Sequence, residues 1–241
     1  MSDPAQCDVA IVGGGLSGLS LAFHLERQGA DFQLFEARAR LGGRILTEAF
    51  KGVGFDLGPS WVWPGQRRIL SLIEHLELQV FQQHAEGNLV HENGAGHLQQ
   101  LNFATTAGTL RVSGGMNAIV EALASQIPDH RIHKQSQLTN LNADGHLLFQ
   151  GGRKVKAKQI VLALPPRIAA KLAFEPALSS AERNALKAVP TWMAGHAKFV
   201  AVYETPFWRA DGLSGDAMSQ RGPLAEVHDA SGPDDEGPGA L

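Results

Sequence analysis

Gly13, Gly15 and Gly18 stand in the spacing G-x-G-x-x-G, and an acid, Glu36, closes the next apolar run. Those residue types suit one piece of chemistry. Gly13 lets the chain turn tightly, Gly15 lets the backbone approach a pyrophosphate with no side chain between, and Gly18 lets a helix pack close to a strand. The N–H groups at the helix start, around Leu16, Ser17 and Gly18, offer the phosphates a partial positive charge. Glu36 can accept hydrogen bonds from ribose hydroxyls. The second reactive type is Lys198, set beside Phe199, Val200, Ala201 and Val202. An ammonium on an apolar face is costly unless something uses it. The alternative is an edge lysine reaching to solvent.

Glycines in that spacing are common, so the elements around them decide their meaning. Val9 to Val12 read as a buried strand. Leu16, Leu19, Phe23 and Leu25 recur at helical spacing up to a glycine at Gly29, and Phe32 to Phe35 form a second apolar run. Strand, helix, strand and terminal acid together specify dinucleotide binding. Further on, Val53 to Gly58 alternate like a short strand, and Gln66 to Leu76 are amphipathic. Leu78 to Phe81, Asn88 to His91 and His97 to Leu101 read as strands. Gly114-Gly115 precede a helix with Ile119, Val120 and Leu123 on its apolar face, and are either a plain helix start or a functional turn. Gly151-Gly152 suit the turn of a hairpin, and Gln159 to Leu164 form an apolar strand. Ser179 and Glu182 match a capping box. A strand is expected through Lys198, with Phe199, Ala201 and Tyr203 on one face and Lys198, Val200 and Val202 on the other. Trp61 and Trp63 either line a cavity or fill core. The Gly/Pro-rich acidic tail from Asp229 to Leu241 reads as a loop or a disordered end.

Composition narrows the class. The chain has 241 residues, 44% hydrophobic and 19% charged, with a formal net charge of −3. That is ordinary globular composition, without the basic excess of a nucleic-acid binder. One cysteine, Cys7, excludes an intrachain disulfide and fits a reducing cytoplasm. Met1 to Gln6 carry no signal-peptide pattern, and no apolar run is long enough to span a membrane. His75, His84, His91 and His97 lack the paired spacing of a metal site, so no metal is expected.

Glu36 to Arg44, read as E-x-x-x-x-x-G-G-R, resembles the second signature of flavoproteins. With F-D-L-G-P-S-W at Phe55 to Trp61 and A-L-P-P at Ala163 to Pro166, the chain is similar to the flavin-containing amine oxidases of the monoamine oxidase type. The resemblance implies an α/β fold: a Rossmann-like FAD-binding domain (residues 1–76 and 108–171) interleaved with a partial α+β substrate domain (residues 77–107 and 172–241). It implies that Ala37, Arg38, Gly42, Gly43 and Arg44 continue the nucleotide site, and that Gly58, Pro59, Ser60 and Trp61 run beside the flavin. Pro59 replaces the family's second glycine there and removes one N–H donor. The backbone at Leu138 would face the adenine, and Lys198 would hold a water against flavin N5. With Cys7 in the first strand, FAD is expected to be non-covalent. The implied reaction moves hydride from an amine α-carbon to flavin; the imine hydrolyses, and oxygen reoxidises the flavin to give hydrogen peroxide. The substrates are then a small-molecule amine and oxygen. The chain is expected to lack the family's C-terminal segment. One alternative is that the chain alone is a catalytically incomplete FAD-binding fragment, with a second polypeptide or a homo-oligomer covering that half. A same-fold flavin enzyme acting on a non-amine substrate is the other alternative.

Overall fold

The structure, a computed structural model, describes residues 5–191, 193, 195–233 and 237–241. Asp234, Asp235 and Glu236 of the tail, and residues 1–4, lie outside the described residues. Chain contacts divide the molecule into two compact units, residues 1–45 with 120–196 and residues 46–119 with 197–241. Among the described residues no helix is long and apolar enough to cross a membrane.

The first unit is built on a seven-stranded sheet in the order Ala173–Glu175, Leu138–Asn142, His146–Phe149, Lys154–Leu162, Ala5–Val12, Phe32–Phe35, Ile132–His133. Ala5–Val12 is paired in parallel on both sides, with Lys154–Leu162 and Phe32–Phe35. Parallel neighbours need a crossover, and the helix Leu16–Arg27 supplies it. Its Leu19, Ala22 and Phe23 are buried, as are Ala10, Ile11, Phe32 and Leu34 of the strands. A strand buried on both faces must be apolar throughout, which is why Val9 to Val12 carry no polar residue. The expected hairpin forms about Gly151-Gly152, between His146–Phe149 and Lys154–Leu162. Its second arm and the expected apolar strand are one continuous strand, Lys154–Leu162. The capping box is present: Ser179 Oγ accepts from the Glu182 N–H, and Glu182 reaches back to the Ser179 N–H at 2.8 Å.

Cys7 is 5% exposed on the first strand. Burial, then the Asp31 and Asp8 carboxylates, push its thiol up to about 11. Only the thiolate is nucleophilic. Cys7 will therefore stay unmodified by a disulfide reagent at pH 8 in the native chain and react fully in denaturant; native reactivity matching a free thiol would contradict this burial.

The second unit carries a four-stranded sheet in the order Glu226–Val227, Leu213–Ser219, Asn88–Glu92, Leu98–Leu101. Small antiparallel pairs accompany it, among them Thr47–Phe50 with Val53–Asp56 and Val80–Gln82 with Leu110–Val112. Two sequence expectations are corrected here. The strand through Lys198 shrinks to Val202–Tyr203, and Phe199 is 73% exposed. Alternation reports which side chains could share a face, but a strand also needs a partner. Among the described residues the partner is Gly239–Ala240 alone, extended by mutual backbone bonds between Ala201 and Leu241. That pairing also corrects the disordered alternative for the tail, whose described residues are mainly loop, the other expected form. Asp229, Ser231 and Ala240 are buried, and the Asp229 carboxylate accepts from Trp208 Nε1 and Arg209 Nε, each at 3.0 Å. Gly/Pro-rich composition measures how little a segment can bury by itself. It cannot register small residues inserted where nothing larger fits: a Cβ on Gly239 would lie 2.6 Å from the Pro206 backbone.

Candidate functional site

In the first unit the two glycine motifs are joined. Gly42 N–H donates to Gly14 O at 2.8 Å, and Gly15 and Gly42 form a parallel bridge. Glu36, 8% exposed, is fixed at both oxygens: Gly14 N–H donates to Oε2 at 2.7 Å and Arg38 N–H to Oε1 at 2.8 Å. A carboxylate has about four acceptor positions, so lone pairs remain for two hydroxyls. Arg40 clamps the following turn, donating to Leu41 O at 3.1 Å, Ile45 O at 3.0 Å and Gly43 O at 2.9 Å. Arg38 Nη1 adds a longer bond to Gly43 O at 3.3 Å.

The three motif glycines are glycine for different reasons. A Cβ on Gly13 would lie 2.5 Å from Ala163 O, and one on Gly18 would lie 1.9 Å from Gly13 O. Close backbone packing therefore forbids side chains at both. A Cβ on Gly15 would meet nothing nearer than Gly43 Cα at 3.8 Å, and its φ of −77° suits any residue. The fold does not require a glycine at Gly15; a ligand approaching over it would. Gly15 is also the N-cap of the Leu16–Arg27 helix, with no side-chain cap and no acid in the first turn. A bare helix start, an open glycine and an anchored Glu36 fit the pyrophosphate and ribose of a dinucleotide.

Ala37, Arg38 and Arg44 are exposed around this turn, with Leu16 half-buried and Ser17 exposed at the helix start. Among the described residues Arg44 makes no hydrogen bond or ion pair, which leaves its guanidinium available. Leu138 sends its side chain into the core cluster with Phe35 and Phe149, so it can offer a ligand only its backbone.

In the second unit the segment expected beside a flavin gathers around Lys198. Lys198 Nζ donates to Gly58 O at 3.1 Å and to Ser60 Oγ at 2.5 Å, and stands 5.9 Å from the centre of a Trp61 ring. Lys198 is an exposed residue, and only its ammonium end, against Gly58 and Ser60, is partly withdrawn from solvent; that desolvation lowers its pKa, Asp56 opposes it and Arg111 adds to it. Trp61 is oriented from two sides. Its Nε1 donates to Gln83 Oε1 at 2.9 Å, and its ring meets His228 edge-on with centroids 4.9 Å apart. Trp61 is thus partly exposed and fixed, whereas Trp63 is 45% exposed. Pro59 is exposed, between the half-buried Gly58 and the buried Ser60.

Sequence reasoning passed over Gly14, Arg40, Gln83, Asp56 and Arg111. Gly14 could have been suspected, since three consecutive glycines precede the helix. Asp56 lies inside the F-D-L-G-P-S-W motif, which could have marked it; for Arg40, Gln83 and Arg111 no spacing signals a role, because each acts on residues distant in sequence or on backbone carbonyls.

The sequence profile described as flavin containing amine oxidoreductase matches residues 16–107 and 87–239. A probable flavin-containing monoamine oxidase A of Dictyostelium discoideum is 22% identical, over 95% of this chain and 72% of its own length. Putrescine oxidase of Kocuria rosea is 23% identical, over 92% of this chain and 70% of its own. A solved structure of putrescine oxidase bound to putrescine superposes with a TM-score of 0.82 at 23% identity, covering 99% of this chain and 75% of that one. The alignment with the Dictyostelium protein runs over 331 positions although this chain has 241 residues. That relative therefore carries residues inside the aligned span that have no counterpart here.

Proposed function

Because the chain belongs to the flavin-containing amine oxidoreductases, we propose that it binds FAD non-covalently and oxidises a small-molecule amine at its α-carbon. Residues 1–76 and 108–171 serve the cofactor, and residues 77–107 and 172–241 serve the substrate. Gly13 to Gly18 receive the pyrophosphate, Glu36 the ribose hydroxyls, Gly42 to Arg44 the phosphate charge, and the Leu138 backbone the adenine. Bound FAD supplies an acceptor for the hydride of the amine and a route for its electrons to oxygen, which yields hydrogen peroxide. Gly58 to Trp61 flank the ring system, and Lys198 holds a water there.

One observation carries the amine reading beyond dinucleotide binding. The Lys198 ammonium is anchored on Gly58 O and Ser60 Oγ, inside the very F-D-L-G-P-S-W segment that resembles the flavin-flanking one. An edge lysine would have no reason to end on that segment.

The interior residues that a relative has and this chain lacks favour a second reading: FAD binds, but turnover needs a second polypeptide or a second copy of the chain. One experiment separates the two. The purified chain is loaded with FAD, desalted, and mixed anaerobically with putrescine or a simple aromatic monoamine. Bleaching of the flavin absorbance is the expected result. A flavin that stays yellow with every amine supports the second reading, and a chain that retains no flavin defeats both.

A further inference from the structure

Asp56 ends the Val53–Asp56 strand, two positions before the carbonyl that receives Lys198, and it is 4% exposed. Its Oδ1 accepts from Thr47 Oγ1 at 2.5 Å and from the Met116 N–H at 2.9 Å. Thr47 Oγ1 in turn accepts from the Asn117 N–H at 3.0 Å, so the orientation of the carboxyl is set from two segments. Its Oδ2 is buried and, among the described residues, has no hydrogen-bond partner. A buried carboxylate oxygen left unpaired is expensive. The strand end could have carried an apolar residue at no such cost.

We propose that Asp56 is a positioning residue that acts through Lys198: its buried, one-sided carboxyl sets the charge of the ammonium held on Gly58 and Ser60. The inference rests on the role given to Lys198 above and adds the group that governs it. The charged neighbourhood is small. Lys198 feels Asp56 and Arg111. Asp56 is raised above the ordinary carboxylate range by its burial, against the Thr47 and Met116 hydrogen bonds and the charges of Arg111 and Lys198. Arg111, itself buried, is lowered by burial and by Arg209, against Asp56 and Asp229. Its guanidinium lies over the Phe81 ring at 5.2 Å and donates to Ser231 O at 2.5 Å, which fixes the second cation in place. Of these two charges, Asp56 favours the charged form of Lys198 and Arg111 disfavours it. Asp56 is the member that favours the protonated, hydrogen-bond-donating form of the lysine.

The test reads Lys198 directly in the full chain, without turnover. Only a neutral amine acylates, so the pH dependence of Lys198 acetylation, followed by peptide mass spectrometry, reports its midpoint. Asp56→Asn keeps the acceptor for Thr47 and Met116 and removes the charge. It should lower the Lys198 midpoint by about one pH unit, the effect of one nearby opposite charge. Exposed Lys187 should not move. An unchanged midpoint overturns the proposal. So does a rise, which is what unfolding would produce. If Asp56→Asn does not fold, the reciprocal arm decides: in Lys198→Met the Asp56 carboxyl, followed by carbon NMR, should titrate at higher pH than in the parent. No movement there overturns the coupling. Coupling seen in both arms, with flavin reduction untouched in Lys198→Met, would keep this pair and remove the catalytic reading of Lys198.

Discussion

Gly15→Ala will leave the chain folded and strip it of its flavin. The two halves of that statement have separate causes. For the fold, the new methyl meets only Gly43 Cα, at 3.8 Å, an ordinary contact, and the backbone there is already in a conformation that alanine adopts. Alanine is a poorer N-cap than glycine, which costs about 1 kcal/mol or less. For the ligand, the methyl projects from the backbone that a pyrophosphate must approach. The expected result is a melting temperature within a few degrees of the parent and a loss of FAD affinity of at least about tenfold, or about 1.4 kcal/mol. Gly18→Ala is the contrast. Its methyl would lie 1.9 Å from Gly13 O, a backbone atom that cannot move aside cheaply, so it should lose the fold and the flavin together. Thermal unfolding and a fluorescence titration with FAD on both variants check this. A Gly15→Ala chain that binds FAD as the parent does would show that no phosphate passes over Gly15.

That contrast also shows what the sequence could convey. G-x-G-x-x-G marks three glycines alike, and the strand, helix and strand read around them are present as Ala5–Val12, Leu16–Arg27 and Phe32–Phe35, with Glu36 next in the chain. Periodicity is a local property, and the start of the first unit is local: Leu16–Arg27 bridges two strands that pair in parallel with each other, whereas the pairing of Ala5–Val12 with Lys154–Leu162 is not. The second unit is legible in proportion to how local its pairings are. The Asn88–Glu92 and Leu98–Leu101 hairpin could be read, whereas Leu213–Ser219 pairs with Asn88–Glu92 across a long separation, and Val202–Tyr203 with Gly239–Ala240 in a tail that composition assigned to a loop or a disordered end. The same limit applies to side chains. Lys198 stood out because an ammonium among apolar residues demands an explanation. Asp56 and Arg111 did not, although each is almost wholly buried. An acid at the end of a strand looks solvated until the fold closes over it.

Lys198→Met should separate a structural lysine from one that serves chemistry. Methionine keeps nearly the length and the apolar stem and removes the ammonium. Structurally, the loss is two donors: Gly58 O and Ser60 Oγ lose the bonds of 3.1 Å and 2.5 Å. Ser60 is 9% exposed, so its hydroxyl will not be fully compensated by solvent, at a cost of about 1–2 kcal/mol. Were Lys198 only a tie between its own segment and Gly58 to Trp61, that cost would appear as a lower melting temperature and weaker FAD binding, while the flavin that remained bound would be reduced by amine at the parental rate. Were Lys198 the holder of a reacting water, FAD content would stay near that of the parent, and anaerobic reduction per bound flavin would fall on the order of 100-fold, the loss typical of a positioned proton-transfer partner. Lys198→Arg sharpens the comparison. It keeps the charge but replaces a compact three-donor ammonium with a planar fork. It should retain the tie to Gly58 O while failing to restore the rate, because a water is held by where the donors point as well as by charge. The second pattern is the expected one, since the ammonium ends on the carbonyl and hydroxyl of the Gly58 to Trp61 segment. A parental rate per bound flavin in Lys198→Met would return Lys198 to the structural role.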